Sequence, residues 1–161
     1  MSEVQQRLKN IVNLAINKFN EREKYLIENN LSERCICSKF AMYLTNEISN
    51  SEFNNYSVDV EYNRGNNGIN YNPKILSNKN IVVDLIVHKR GYDENFGYDN
   101  LICIEMKKSN DSRRTQGIMD DEERLKKLTN YQYSFNYQIG LMLVVNIKKK
   151  ELYNKSDYYL N

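Results

Sequence analysis

Apolar residues recur at helical spacing from the start of the chain. Leu8, Ile11, Val12, Ala15, Ile16 and Phe19 share one face, so residues 4–28 predict a helix, stopped by Asn29 and Asn30. Ser32 then stands as an N-cap for a second helix. Its inward face is Ile36, Phe40, Tyr43, Leu44 and Ile48, and Asn50 and Ser51 end it. The period changes to two over residues 56–62, where Val58 and Val60 alternate with Ser57, Asp59 and Glu61, as in a half-exposed strand. Residues 63–80 are polar, carry Gly65, Gly68 and Pro73, and read as a loop.

Two short apolar runs follow, residues 81–87 and 101–106, with a polar turn region over 91–100 between them. Their length and composition fit buried central strands. Residues 117–130 return to helical spacing, with Ile118, Leu125 and Leu128 inward and acidic residues preceding basic ones along the axis. Residues 138–147, with Leu141, Leu143, Val144 and Val145, predict a further strand, and Lys148, Lys149 and Lys150 mark a solvated end or a hairpin. The order of elements predicts an α/β domain: a mixed sheet with helices packed on it.

Composition narrows the picture. The chain has 161 residues, 40% of them hydrophobic and 27% charged, without an internal repeat or a Pro-rich linker, which fits a single globular domain. Lys plus Arg number 23 against 21 Asp plus Glu, a net charge of +2, so attraction for phosphate must come from local clusters. The first nine residues are polar with no apolar segment after them, and no run reaches the roughly 18 apolar residues of a membrane span. Cys35, Cys37 and Cys103 read as reduced thiols. The expectation is a cytoplasmic protein with no membrane partner. A lone His88 argues against a histidine-based metal site or catalytic triad.

The chemistry lies in two anomalies. Asp84 interrupts Ile81-Val82-Val83-Asp84-Leu85-Ile86-Val87, and Glu105 interrupts Leu101-Ile102-Cys103-Ile104-Glu105-Met106. An ionised carboxylate in so apolar a run is costly unless it is paired or binds a cation. Alternation places Glu105 and Lys107 on one face, with Leu101 and Cys103, and turns Ile104 and Met106 to the other, into the core. If the two strands are neighbours, Asp84 meets Glu105 and Lys107. Two such carboxylates suit Mg²⁺ or Mn²⁺. Lys107 is then placed to orient an attacking water or to offset charge on phosphate.

Asp84, a turn, and Glu105-Met106-Lys107 together resemble the D…(D/E)-x-K signature of the PD-(D/E)xK restriction-endonuclease-like nucleases. The resemblance spans residues 32–147. It covers the order of a helix, three antiparallel strands, a helix and a further strand. Val83 stands where that family conventionally has proline. The resemblance implies a restriction-endonuclease-like core with residues 1–30 as an N-terminal helical extension. It also implies a metal-dependent nuclease hydrolysing phosphodiester bonds, DNA being the expected substrate. Asp84, Glu105 and the Met106 carbonyl would bind metal, Lys107 would assist the water, and Glu33, on the helix before the strands, would be an additional ligand.

Lys108, Arg113 and Arg114 form a basic patch beside Lys107, and His88 precedes Lys89 and Arg90; these are the candidate phosphate contacts. Ordinary readings stand beside these. Asp84 could pair with Arg34 or Arg90, Glu105 and Lys107 could form a solvated strand face, and Glu33 could serve only the helix start. Lys126 could face the cleft or solvent, and Tyr131, Tyr133 and Tyr137 could stack on bases or pack in a core. The main rival function is an inactive regulatory protein on a nuclease-like scaffold, binding nucleic acid or another protein. A homodimer through the apolar stripe of the first helix is a further expectation.

Overall fold

A computed structural model describes residues 1–63, 75–76, 79–90, 99–109, 114–133, 135–155 and 159–160. The first helix, α1 (Glu3–Arg22), opens with a capping box between Ser2 and Gln5. Its predicted stripe is buried, with Leu8, Val12, Ala15 and Phe19 wholly so. The single helix expected over residues 4–28 is broken at Glu23, and α2 (Lys24–Glu28) follows as a separate short helix. The reason is tertiary. The Glu23 carboxylate accepts from the Tyr43 hydroxyl at 2.6 Å and pairs with Lys39 at 3.4 Å, both on α3 (Glu33–Ser49). Those contacts outweigh local helix propensity. Ser32 is the N-cap of α3, as expected, accepting from the Cys35 N–H.

The main sheet runs β1-β4-β5-β6-β7. Strand β4 (Leu85–His88) pairs antiparallel with β1 (Ser57–Val60) on one side and β5 (Asn100–Lys108) on the other. Helix α4 (Arg114–Thr129) then carries the chain to β6 (Ile139–Asn146), parallel to β5. The mixed sheet is therefore as predicted. Two additions were not: β7 (Glu151–Asn154) and β8 (Tyr159–Leu160) both pair antiparallel with β6. The three lysines at 148–150 lie in the hairpin turn before β7, where Lys150 takes a positive φ of 56°. Within the stretch expected as loop, β2 (Ile75–Leu76) and β3 (Lys79–Asn80) form a two-stranded hairpin. Residues 64–74 and 91–98 lie outside the described residues.

Helices α1 and α3 cover one face of the sheet, packing on Leu85, Val87, Ile102, Ile104, Met106, Leu141 and Leu143. Thus α1 packs within the main core. Its apolar stripe is occupied within the chain, which removes the face on which a second copy was expected to pack. Helix α4 covers the other face, where Leu125 and Leu128 meet Ile86, Cys103, Met142 and Val144. Among the described residues no helix is long and apolar enough to cross a membrane.

Two details of the strands differ from the alternation argument. Leu101 belongs to the α1/α3 side, not the Glu105 side, because the ladder shifts between Val87 and His88 and leaves it as a bulge residue. The strand expected over residues 81–87 begins only at Leu85, and Asp84 sits at the bend before it. There the Asp84 carboxylate, not the backbone of residue 83, accepts the Met106 N–H, which ends the ladder.

Candidate functional site

Strand β5 has nine residues and β4 has four. Their ladder ends at Leu85 with Ile104, so residues 105–108 continue past β4 with one edge unpaired among the described strands. Backbone N–H groups on such an edge require acceptors. Two acids supply them: Asp84 Oδ2 accepts from the Met106 N–H at 2.7 Å, and Glu33 Oε2 from the Lys108 N–H at 3.1 Å. Glu33 arrives because it opens α3; Asp84 is held by its own carbonyl, which accepts from the Glu61 N–H at 3.1 Å.

On the α4 side, Glu105 is 1% exposed and receives the Arg124 guanidinium through Nη1. Arg124 Nη2 lies 2.9 Å from Asp121 Oδ1, and Asp121 Oδ2 lies 2.9 Å from Lys107 Nζ. Lys107 Nζ is in turn 3.8 Å from Glu33. The result is a chain of alternating charge, Glu105–Arg124–Asp121–Lys107–Glu33, linking the helices on both sides of the sheet.

This environment shifts the ionisable groups. Burial, and then the charge of Asp84, push the Glu105 carboxyl well above the usual range; Arg124 opposes them without cancelling them. Burial alone would lower Lys107, but Asp121, followed by Glu33 and Asp84, more than compensates and keeps it firmly cationic. Burial, and then Asp84, push the Cys37 thiol up to about 12, so it stays protonated at neutral pH.

A cavity of about 280 Å³ opens beside this edge, lined by Ser32, Glu33, Arg34, Cys37, Val60, Glu61 and Asp84. Glu33, Glu61 and Asp84 give it carboxylate oxygens. In an extended strand the N–H and C=O of one residue lie on the same edge, so the Met106 carbonyl faces the Asp84 side with its N–H. Mg²⁺ commonly takes one or two carboxylates and retains waters. Asp84 and Glu105 fit that pattern as a pair, although among the described residues no three His, Cys, Asp or Glu side chains are grouped to hold an ion.

The fold thus brings Asp84, Glu105, Met106, Lys107 and Glu33 together. Lys108 is adjacent, but its ammonium donates to the carbonyls of Asn30 and Leu31 at 3.2 and 2.9 Å, tying the α2–α3 connection to β5. His88 is elsewhere: it is 3% exposed, bonded to Asp59 at 2.8 Å and packed on Tyr62, four residues along from Asp84, roughly 13 Å in an extended chain. That burial withdraws it from phosphate. Arg113 lies outside the described residues, as does the side chain of Arg114, which opens α4. Arg34 and Arg90 pair with Glu61 and Asp59, not with Asp84.

Lys126 is exposed, its ammonium 5.9 Å from the Tyr159 ring centre. Tyr137 is wholly buried, Tyr133 half-buried and Tyr131 exposed. Sequence reasoning missed Asp121 and Arg124. A signal existed for the first: Asp121 stands on the helical stripe of Ile118, Leu125 and Leu128, an acid at an inward position. Arg124 carries no such mark. Comparison with known protein families, with curated proteins and with solved structures gives no match.

Proposed function

We propose that this chain is a metal-dependent nuclease of the PD-(D/E)xK type, hydrolysing phosphodiester bonds in DNA. The observation that carries this reading is the meeting of Asp84, Glu105 and Lys107 at the unpaired edge of β5, with Glu105 buried beside a like charge. A structural acid is normally matched by bases, whereas an excess of buried negative charge suits a cation. Asp84 and Glu105, with the Met106 carbonyl, would hold Mg²⁺ or Mn²⁺, and Glu33 offers a further oxygen at the cavity. When bound, the ion would acidify a water and offset phosphate charge. Lys107, kept charged by Asp121, would orient that water or stabilise charge developing on phosphate.

Cleavage of single- and double-stranded DNA and RNA with Mg²⁺ or Mn²⁺, against an EDTA control, tests this. Metal-dependent cutting is expected, falling about a hundredfold or more in Lys107→Ala and in Glu105→Gln. Full activity in either variant removes the assignment.

One observation favours a second reading, a regulatory binding protein on the same scaffold. Glu105 and Lys107 already have internal partners in Arg124 and Asp121. In that case the folded protein cuts no substrate and binds no divalent ion.

A further inference from the structure

Where β5 faces α4, the gap at Glu105 is filled by a guanidinium. Arg124 bridges two carboxylates from different elements, Nη1 on Glu105 and Nη2 on Asp121. We propose that Arg124 is a displaceable counter-cation: it partly offsets the charge of Glu105 in the metal-free protein, yields that carboxylate to an incoming divalent ion, and remains held by Asp121. This rests on reading Asp84 and Glu105 as the metal ligands.

Three features favour exchange over permanent pairing. First, the Arg124 side chain is 27% exposed while the Glu105 side chain is 2% exposed, so the arginine can withdraw toward solvent and the acid cannot. Second, Asp121 is 5% exposed and anchored by Lys107 on its other oxygen. It continues to hold Nη2 once Nη1 lets go. Third, Arg124 Nη1 contacts Glu105 while Asp84 Oδ2 accepts the Met106 N–H, whereas one divalent ion would serve both carboxylates. The arrangement protects a buried acid pair from self-repulsion before metal arrives. Its consequence is weaker metal binding than the carboxylates alone would give.

Mn²⁺ binding, followed by the electron paramagnetic resonance signal of the free ion, reads this without any substrate. The proteins compared are wild type, Arg124→Gln and Glu105→Gln, each checked by thermal melting. Glu105→Gln is expected to lose the ion. Arg124→Gln is expected to bind it about tenfold more tightly, the equivalent of removing one competing charge-assisted hydrogen bond. If Arg124→Gln binds equally or more weakly while Glu105→Gln loses binding, the metal reading stands and the counter-cation falls. If neither wild type nor Arg124→Gln binds Mn²⁺, both fall.

Should Arg124→Gln fail to fold, Mg²⁺ titration of ¹⁵N-labelled wild type decides the matter. The Arg124 Nε–H resonance is expected to move at saturating Mg²⁺. An unmoved resonance in a protein that binds the ion overturns the proposal.

Discussion

Asp59 on β1 and Glu105 on β5 both lie on the α4 side of the sheet and both meet an arginine, yet their carboxyls shift in opposite directions. Asp59 is paired across strands with Ile86, which packs on the α4 side. It accepts from Arg90 through both oxygens and from His88 at 2.8 Å. The Arg90 hydrogen bonds, and after them His88, outweigh burial and hold it below the ordinary aspartate range. Glu105 has Arg124, but it also has Asp84 and Asp121 nearby, and burial dominates. One acid among bases is a finished structural unit. Glu105 shares Arg124 with Asp121 and lies beside Asp84, and that concentration of acids around one buried carboxyl is what singles the second cluster out. Both are carboxylates beside an arginine; neighbouring charge and solvent access differ.

The largest expected contrast is catalytic. Asp59→Asn should cut at the wild-type rate in the assay where Glu105→Gln loses about a hundredfold or more. Equal losses in both variants would erase the distinction between the clusters.

Stability should separate them in the other direction. Asp59→Ala removes the carboxylate bonded to the buried His88 and to Arg90 and should cost about 2 kcal/mol in urea unfolding, within the range for hydrogen bonds to a charged group. Glu105→Gln should instead stabilise the metal-free protein, because it removes a buried charge that Arg124 does not fully offset.

The pH dependence sharpens the same point. The lowered Asp59 carboxyl contributes stability that is present above the ordinary aspartate value and lost as pH falls through its folded value, so the deficit of Asp59→Asn should close below about pH 4. The raised Glu105 carboxyl works oppositely. Its contribution is present below the ordinary glutamate value and lost as pH rises through the folded value, so the advantage of Glu105→Gln should open above about pH 4. Urea midpoints across a pH series give both trends; parallel trends would break the comparison.

The smallest expected effect is at Ser32. Removing the cap with Ser32→Ala should cost about 1 kcal/mol and loosen Glu33 at the edge of β5.

Much of this was legible in the chain. Acids at apolar positions marked Asp84 and Glu105, and the i, i+2 spacing placed Lys107 beside Glu105. The same local reasoning failed where partners override it. Nothing within residues 4–28 announces the break at Glu23, because its causes, Tyr43 and Lys39, lie on another helix. Strand β7 offers only Leu152 as a fully buried residue, too little to reveal a period.

Local sequence by itself determined the main helices and the strands β1, β4, β5 and β6, the mixed character of the sheet and the position of two misplaced acids. It could do so because periodicity along one segment records which side of that segment is buried. Tertiary structure alone decided that β5 outruns β4, that Asp84 and Glu33 close its open edge, and that Arg124 stands against Glu105. Those facts depend on strand register and on pairs as distant as Lys108 and Glu33, 75 residues apart, whose encounter no single segment encodes.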